Sequence, residues 1–264
     1  MKKSSQNHKI NETPIILRIW VWTQIWVHVM CGVCTLSLVF PFLDRRNKHR
    51  AIQKWSKHLL RIFNIELIVQ DGALLGNIPH LIAANHISWL DIHVINAFKP
   101  ICFVAKSEVE GWPIFGWMAK QLGTLFIKRD SARDVRQVVN QMAEVLKADS
   151  VCIFPEGTST AGESVLPFKP NLFETAILAQ TPVFPLALQY LSKTTGNRSE
   201  SPAFIGEMGL LESMSNIIKN RALEAKITIL PAFPWSQQTI IPADRKQVAS
   251  YCENFIAKTL EQQM

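Results

Sequence analysis

From Ile19 to Leu43 the chain runs for 25 residues without an Asp, Glu, Lys or Arg. A hydrocarbon core takes roughly 20 such residues to cross, so whatever this chain folds into must place one long apolar segment. Trp20, Trp22 and Trp26 gather towards one end of it, where amphipathic rings favour a bilayer interface. Gln24 and His28 count against a deep span. A cleaved leader is the rival reading, and Lys2 and Lys3 suit its charged start. The apolar stretch is too long for one, however, and no Ala-x-Ala pattern closes it. The expectation is a retained membrane helix, spanning or re-entrant.

Charge points the same way. The net charge is +7, but its placement matters more than its size. Met1 to Ile62 holds 11 Lys/Arg and 2 Asp/Glu, whereas the rest of the chain holds 17 and 19. A nucleic-acid enzyme would carry its basic residues across the globular face. Here they flank the apolar stretch, as at an anionic membrane surface. Asp44–Arg50 reads DRRNKHR, which by the positive-inside rule faces the cytoplasm. Ile52, Trp55, Leu59, Leu60 and Phe63 then recur at helical spacing among Lys54, Lys57 and Arg61. That pattern reads as a basic amphipathic helix at the bilayer surface; the plainer alternative packs its apolar side on its own domain. Two units are expected: an N-terminal anchor with its basic helix over 1–62, and a catalytic domain over 63–264. Cys31 and Cys34 sit inside the apolar stretch without a second ligand pair, and read as small apolar residues.

The remainder is rich enough in apolar residues, 48% of the chain, to exclude disorder as its main state. Strand patterns fall at Glu66–Gln70, Leu81–Ala84, Cys102–Ala105, Thr124–Lys128, Val151–Phe154, Val183–Gln189 and Lys226–Leu230. Helical patterns lie between many of them. The clearest, Ala132–Lys147, aligns Val135, Val138, Val139, Met142, Val145 and Leu146, with Ser131 as its cap. Such alternation predicts a single α/β domain with a mixed, largely parallel sheet flanked by helices. Sites in such sheets gather at the carboxyl ends of strands.

Three segments place reactive side chains there. Asn85–Asp91 follows the Leu81 strand. His86 and Asp91 would lie apart on one continuous helix. With Ser88 capping a helix, however, Asp91 falls at its third position and its carboxylate turns back across the cap. It then reaches the imidazole and fixes its tautomer. The plainer alternative is that Asp91 merely caps the helix and His86 is a loop residue. The second segment, Phe154-Pro155-Glu156-Gly157-Thr158, brings Glu156 and Thr158 out of a strand, with Gly157 free to turn tightly. The third runs from Lys106 through Trp112, Phe115, Trp117 and Met118 to Lys128 and Arg129: apolar surface for an acyl chain or bilayer, and a strand ending in cations.

Taken in order, these blocks resemble the glycerolipid acyltransferase family, typified by bacterial 1-acylglycerol-3-phosphate acyltransferases and the related lyso-ornithine-lipid acyltransferases. N-H-x4-D matches Asn85, His86 and Asp91; G-x-x-F-I-x-R matches Gly123, Phe126, Ile127 and Arg129; F-P-E-G-T matches Phe154 to Thr158; a proline-rich strand matches Pro182 to Pro185. Lys106, Glu108, Pro113 and Gly116 fit the family's upstream pattern. The resemblance covers roughly Leu81 to Leu188. It implies an O-acyltransferase at the cytoplasmic face of a bacterial inner membrane. An acyl chain would pass from acyl-CoA or acyl-carrier protein to a lysolipid hydroxyl, without metal or other cofactor and without nucleic acid as a partner. His86 would be the general base and Asp91 its orienter. Arg129, Glu156, Gly157 and Thr158 would hold the acceptor's head group, with Lys106 and Lys169 as further anion contacts. The first acceptor implied is 1-acyl-sn-glycerol 3-phosphate. Against it, Ser159 stands where relatives acting on that acceptor often carry Arg, and Val165–Glu174 resembles relatives acting on lyso-ornithine lipid and other lysophospholipids. A serine esterase would want G-x-S-x-G, which does not occur. A non-catalytic membrane-binding relative is the remaining alternative.

Overall fold

The computed structural model describes residues 13–128, 131–235 and 244–262. All seven expected strands form: β1 Ile65–Gln70, β2 Leu81–Ala84, β3 Cys102–Lys106, β4 Leu125–Ile127, β5 Val151–Ile153, β6 Val183–Ser192 and β7 Leu223–Ile229. They make one sheet in the order β1-β7-β6-β2-β5-β3-β4. Every neighbouring pair is parallel except β6 with β7. The fold is therefore the expected single α/β domain with a mixed, largely parallel sheet.

The helices are α1 Ile15–Leu38, α2 Arg45–Phe63, α3 Leu90–Phe98, α4 Ser107–Glu110, α5 Phe115–Gln121, α6 Ala132–Leu146, α7 Glu174–Ala179, α8 Leu210–Lys219 and α9 Arg245–Glu261. One face of the sheet packs with α1, α2, α3 and α8, the other with α6, α7 and α9. On α6 the expected stripe points inward, burying Val138, Val139, Met142 and Leu146, and Ser131 accepts the Asp134 N–H as its cap. Beyond the polar loop at Asn197–Ser201 the chain forms α8 and then β7, an interior strand of the sheet.

The apolar stretch becomes α1, which starts four residues before the charge-free segment and stops at Leu38. Pro41, in a short 3₁₀ turn over Phe40–Phe42, separates it from α2, since proline cannot continue a helix. Asp44 caps α2 through the Asn47 N–H at 2.8 Å, and Asn64 closes it with a left-handed backbone at φ 59°. One side of α1 (Val21, Ile25, Val29, Leu36) is buried in the protein, while Ile15, Ile16, Ile19, Trp20, Trp26 and Val27 on its other sides stay exposed. The apolar stripe of α2 turns to its own domain: Leu59, Leu60 and Phe63 share a cluster with α3 and the sheet. Lys54, Lys57 and Arg61 remain outside. The two expected units, 1–62 and 63–264, thus share one hydrophobic core.

Candidate active site

Parallel pairing of β2 with β5 brings the first and second segments together. Leu81, Ile82 and Ala83 lie opposite Val151, Cys152 and Ile153. The same offset carried three residues further sets His86 level with Glu156. The two motifs, 70 residues apart in sequence, therefore leave the same end of the sheet side by side. The bond from the His86 backbone N–H to Glu156 Oε1, at 2.7 Å, closes that junction.

Asn85 anchors the turn. Its side-chain amide donates to the Leu188 carbonyl at 3.0 Å and its oxygen accepts the Leu188 N–H at 2.8 Å. It thereby replaces a backbone ladder step where β2 has left its pairing with β6. The chain then turns into α3, and Asp91 swings back as the capping geometry predicts. Its Oδ2 accepts His86 Nδ1 at 2.8 Å, the Ile87 N–H at 2.7 Å and the Ser88 N–H at 2.9 Å. The reciprocal half of the expected capping box does not form. Trp89 occupies the cap position without a side-chain capping bond, its indole N–H donating to Ser213 Oγ at 3.0 Å, and the Ser88 hydroxyl is buried without a partner among the described residues. The helix begins one residue late, at Leu90, and the Asp91 N–H meets the Ser88 backbone carbonyl at 3.1 Å in place of its hydroxyl.

Asp91 is fully buried, and its Oδ1 accepts the hydroxyl of Tyr190 at 2.8 Å. A carboxylate surrounded by four donors can only accept. Nδ1 of His86 therefore carries the ring proton, and Nε2 holds the free lone pair. The imidazole stacks on Phe154, with centroids 4.0 Å apart, and keeps 22% of its side-chain surface exposed. A base held in one tautomer, on a ring that keeps part of its surface open, can take a proton from a hydroxyl.

Glu156 is only 3% exposed. Its Oε1 takes the His86 N–H and its Oε2 the Leu166 N–H at 2.9 Å. Burial pushes its pKa upward, and the two backbone donors offset part of that shift. The carboxylate on which head-group contact was expected is thus engaged in holding the loop that carries the base. Gly157 turns with φ 79°, a conformation that suits glycine. Thr158, Lys106 and Lys169 are exposed. Among the described residues no hydrogen bond joins their side chains to the His86–Asp91 pair. Arg129 lies outside the described residues. The Ser159 hydroxyl donates to the Phe204 carbonyl, and Thr160 N–H to the His86 carbonyl at 2.9 Å, so the loop after β5 is stitched over the site.

Two contributors escaped the sequence reading. Tyr190 sits in an apolar strand run where a tyrosine reads as core. Phe154 was read as one letter of a motif, and not as the surface beneath the imidazole. For Tyr190 the only available signal is that it shares a face with Leu186 and Leu188, the face that meets α3.

Three comparisons with known proteins bear on the family of the chain. A family model described as Acyltransferase matches residues 60–189. A 1-acyl-sn-glycerol-3-phosphate acyltransferase of Neisseria gonorrhoeae is 36% identical over 183 residues, 69% of this chain and 71% of that protein. Lyso-ornithine lipid O-acyltransferases of Pseudomonas aeruginosa and Rhizobium meliloti are 38% and 30% identical; the first covers 71% of both chains, the second 90% of this chain and 88% of its own. A solved structure of a 1-acyl-sn-glycerophosphate (LPA) acyltransferase from Thermotoga maritima shares the fold, with a TM-score of 0.66 at 18% identity over 94% of this chain and 95% of that one. The chain belongs to the acyltransferase family whose members are the lysophosphatidate and lysolipid acyltransferases.

Proposed function

We propose that the protein moves a fatty acyl chain from a thioester, acyl-CoA or acyl-carrier protein, to the free hydroxyl of a lysolipid at the membrane. The observation that carries this reading is the His86 Nδ1–Asp91 Oδ2 bond at 2.8 Å beneath a partly open ring. Nε2 removes the acceptor's hydroxyl proton as the oxygen attacks the thioester carbonyl. The C–O bond forms, the tetrahedral oxyanion collapses, the C–S bond breaks, and the departing thiolate recovers the proton from the imidazolium. Asp91 keeps the ring oriented throughout and pairs with its transient charge. No covalent acyl-enzyme is needed.

The acceptor lives in a bilayer and the donor in water, so the reaction belongs at their boundary. The exposed apolar side of α1 and the basic residues that follow it support placing the site at the cytoplasmic face of an inner membrane. Arg129, Thr158, Lys106 and Lys169 then meet the acceptor's polar head, and 1-acyl-sn-glycerol 3-phosphate is the first candidate acceptor. Residue 159 favours a second: a serine tied to a backbone carbonyl offers no bidentate partner to a phosphate monoester, which suits lyso-ornithine lipid.

Purified protein in lipid vesicles, given labelled acyl donors of both kinds and a panel of lysophosphatidate, lyso-ornithine lipid and lysophosphatidylcholine, should acylate one acceptor in preference. His86→Ala should lower that rate by about 10²–10⁴-fold while vesicle binding is kept. Wild-type protein inert towards every acceptor with both donors would overturn the reading.

A further inference from the structure

Asp91 is served unevenly. Three donors converge on Oδ2, all from the turn that carries His86, whereas Oδ1 receives one bond, from a side chain 99 residues away on another strand. We infer that Tyr190 is a positioning residue of the acyl-transfer site, acting through Asp91 to fix the plane of the carboxylate and hence the orientation of the His86 ring. The inference rests on the proposed transfer reaction for its consequences, but its geometry stands independently.

Three observations converge. First, the phenol cannot simply reorient, because Tyr190 is 1% exposed and packed in the core against the α3 face of the sheet. Second, burial and the adjacent Asp91 carboxylate push the phenol's pKa well up, so the hydroxyl remains a donor. Third, β6 fixes both ends of the reactive turn. Leu188 grips Asn85 through two backbone bonds, and Tyr190, two residues on and on the same side of the strand, grips Asp91. A carboxylate bound only through Oδ2 can pivot about that oxygen. Bound through both, it cannot, and Nδ1 of His86 meets a fixed acceptor.

Tyr190→Phe removes one hydroxyl and leaves the ring. The expected result is a kcat lowered about ten- to a hundred-fold, the range for losing a hydrogen bond to a charged group, with KM for both substrates within about twofold. In an Asp91→Ala background, which leaves the Tyr190 hydroxyl no acceptor at position 91, the same change should lower kcat no further, because its effect passes through that carboxylate. In the wild type, the downfield Nδ1–H proton resonance of His86 should be visible by NMR, and it should shift in Tyr190→Phe. Should that variant not fold, 3-fluorotyrosine serves instead: the chain has two tyrosines, so labelling a Tyr251→Phe background alters the acidity of Tyr190 alone and should move the same resonance. An unchanged kcat, an equal loss with and without Asp91, or an unmoved resonance overturns the inference. Absence of transferase activity in the wild type would instead remove the proposed reaction, and the resonance would still decide whether Tyr190 controls the pair.

Discussion

Two buried carboxylates stand side by side at the ends of β2 and β5, and they are held by opposite logic. Asp91 accepts two backbone N–H groups, an imidazole and a phenol; Glu156 accepts backbone N–H groups from His86 and Leu166. Beyond its two backbone donors, the first is tied to side chains that can exchange protons; the donors on the second are main-chain groups that cannot. Burial alone does not separate them, since both are nearly inaccessible. The partners do. In the proposed reaction one carboxylate takes part in the chemistry, and the other is the fastening that keeps the loop with His86 against its neighbouring strand.

Substitutions should split the pair along this line. Asp91→Asn should have the largest effect. An amide nitrogen would face the donors that now converge on Oδ2, and an amide cannot support the imidazolium. Activity should fall by about 10³-fold or more, with a lower melting temperature than His86→Ala; a rate within about tenfold of wild type would erase the distinction. Glu156→Gln should act mainly on stability. One backbone N–H would then meet an amide N–H, at a cost of about 1–3 kcal/mol by denaturant titration, with activity falling less than in Asp91→Asn.

The same variant carries a pH signature. Burial raises the folded-state pKa of Glu156 above the ordinary 4.5, so the native state holds its proton more tightly than the unfolded chain. The contribution of Glu156 to stability therefore declines as pH rises from about 4.5 through its folded pKa, then levels off. In Glu156→Gln that decline should be absent, so the gap between the two proteins is widest at low pH. A gap that widens with rising pH would contradict this.

Ser159→Arg should be the smallest effect and the sharpest for specificity. It adds a fork-shaped cation on the loop after Glu156. The ratio of kcat/KM for lysophosphatidate over lyso-ornithine lipid should rise about tenfold, one charge-assisted hydrogen bond's worth. An unchanged ratio would mean that the acceptor's head lies elsewhere.

The strands and α6 were legible because a half-buried surface imposes its period on the residues that cover it. The turn of Asp91 back to His86 was legible because capping is a local event within a few residues. The Ser88 half of that cap was not, because which oxygen of Ser88 takes the Asp91 N–H, carbonyl or hydroxyl, depends on how the chain turns into α3. The apolar stripe of α2 was ambiguous, since bilayer and core demand the same residues.

The sequence by itself determined the sheet's strands, the reach from Asp91 to His86 and the existence of an apolar helix, all set by near-neighbour chemistry. Only the tertiary structure decided that Glu156 grips the His86 backbone, that Tyr190 completes Asp91, and that α1 lays one flank on the domain and leaves the others bare. Each of those depends on strand register or on packing between segments tens of residues apart. Side-chain type and local spacing carry no record of which strand becomes whose neighbour.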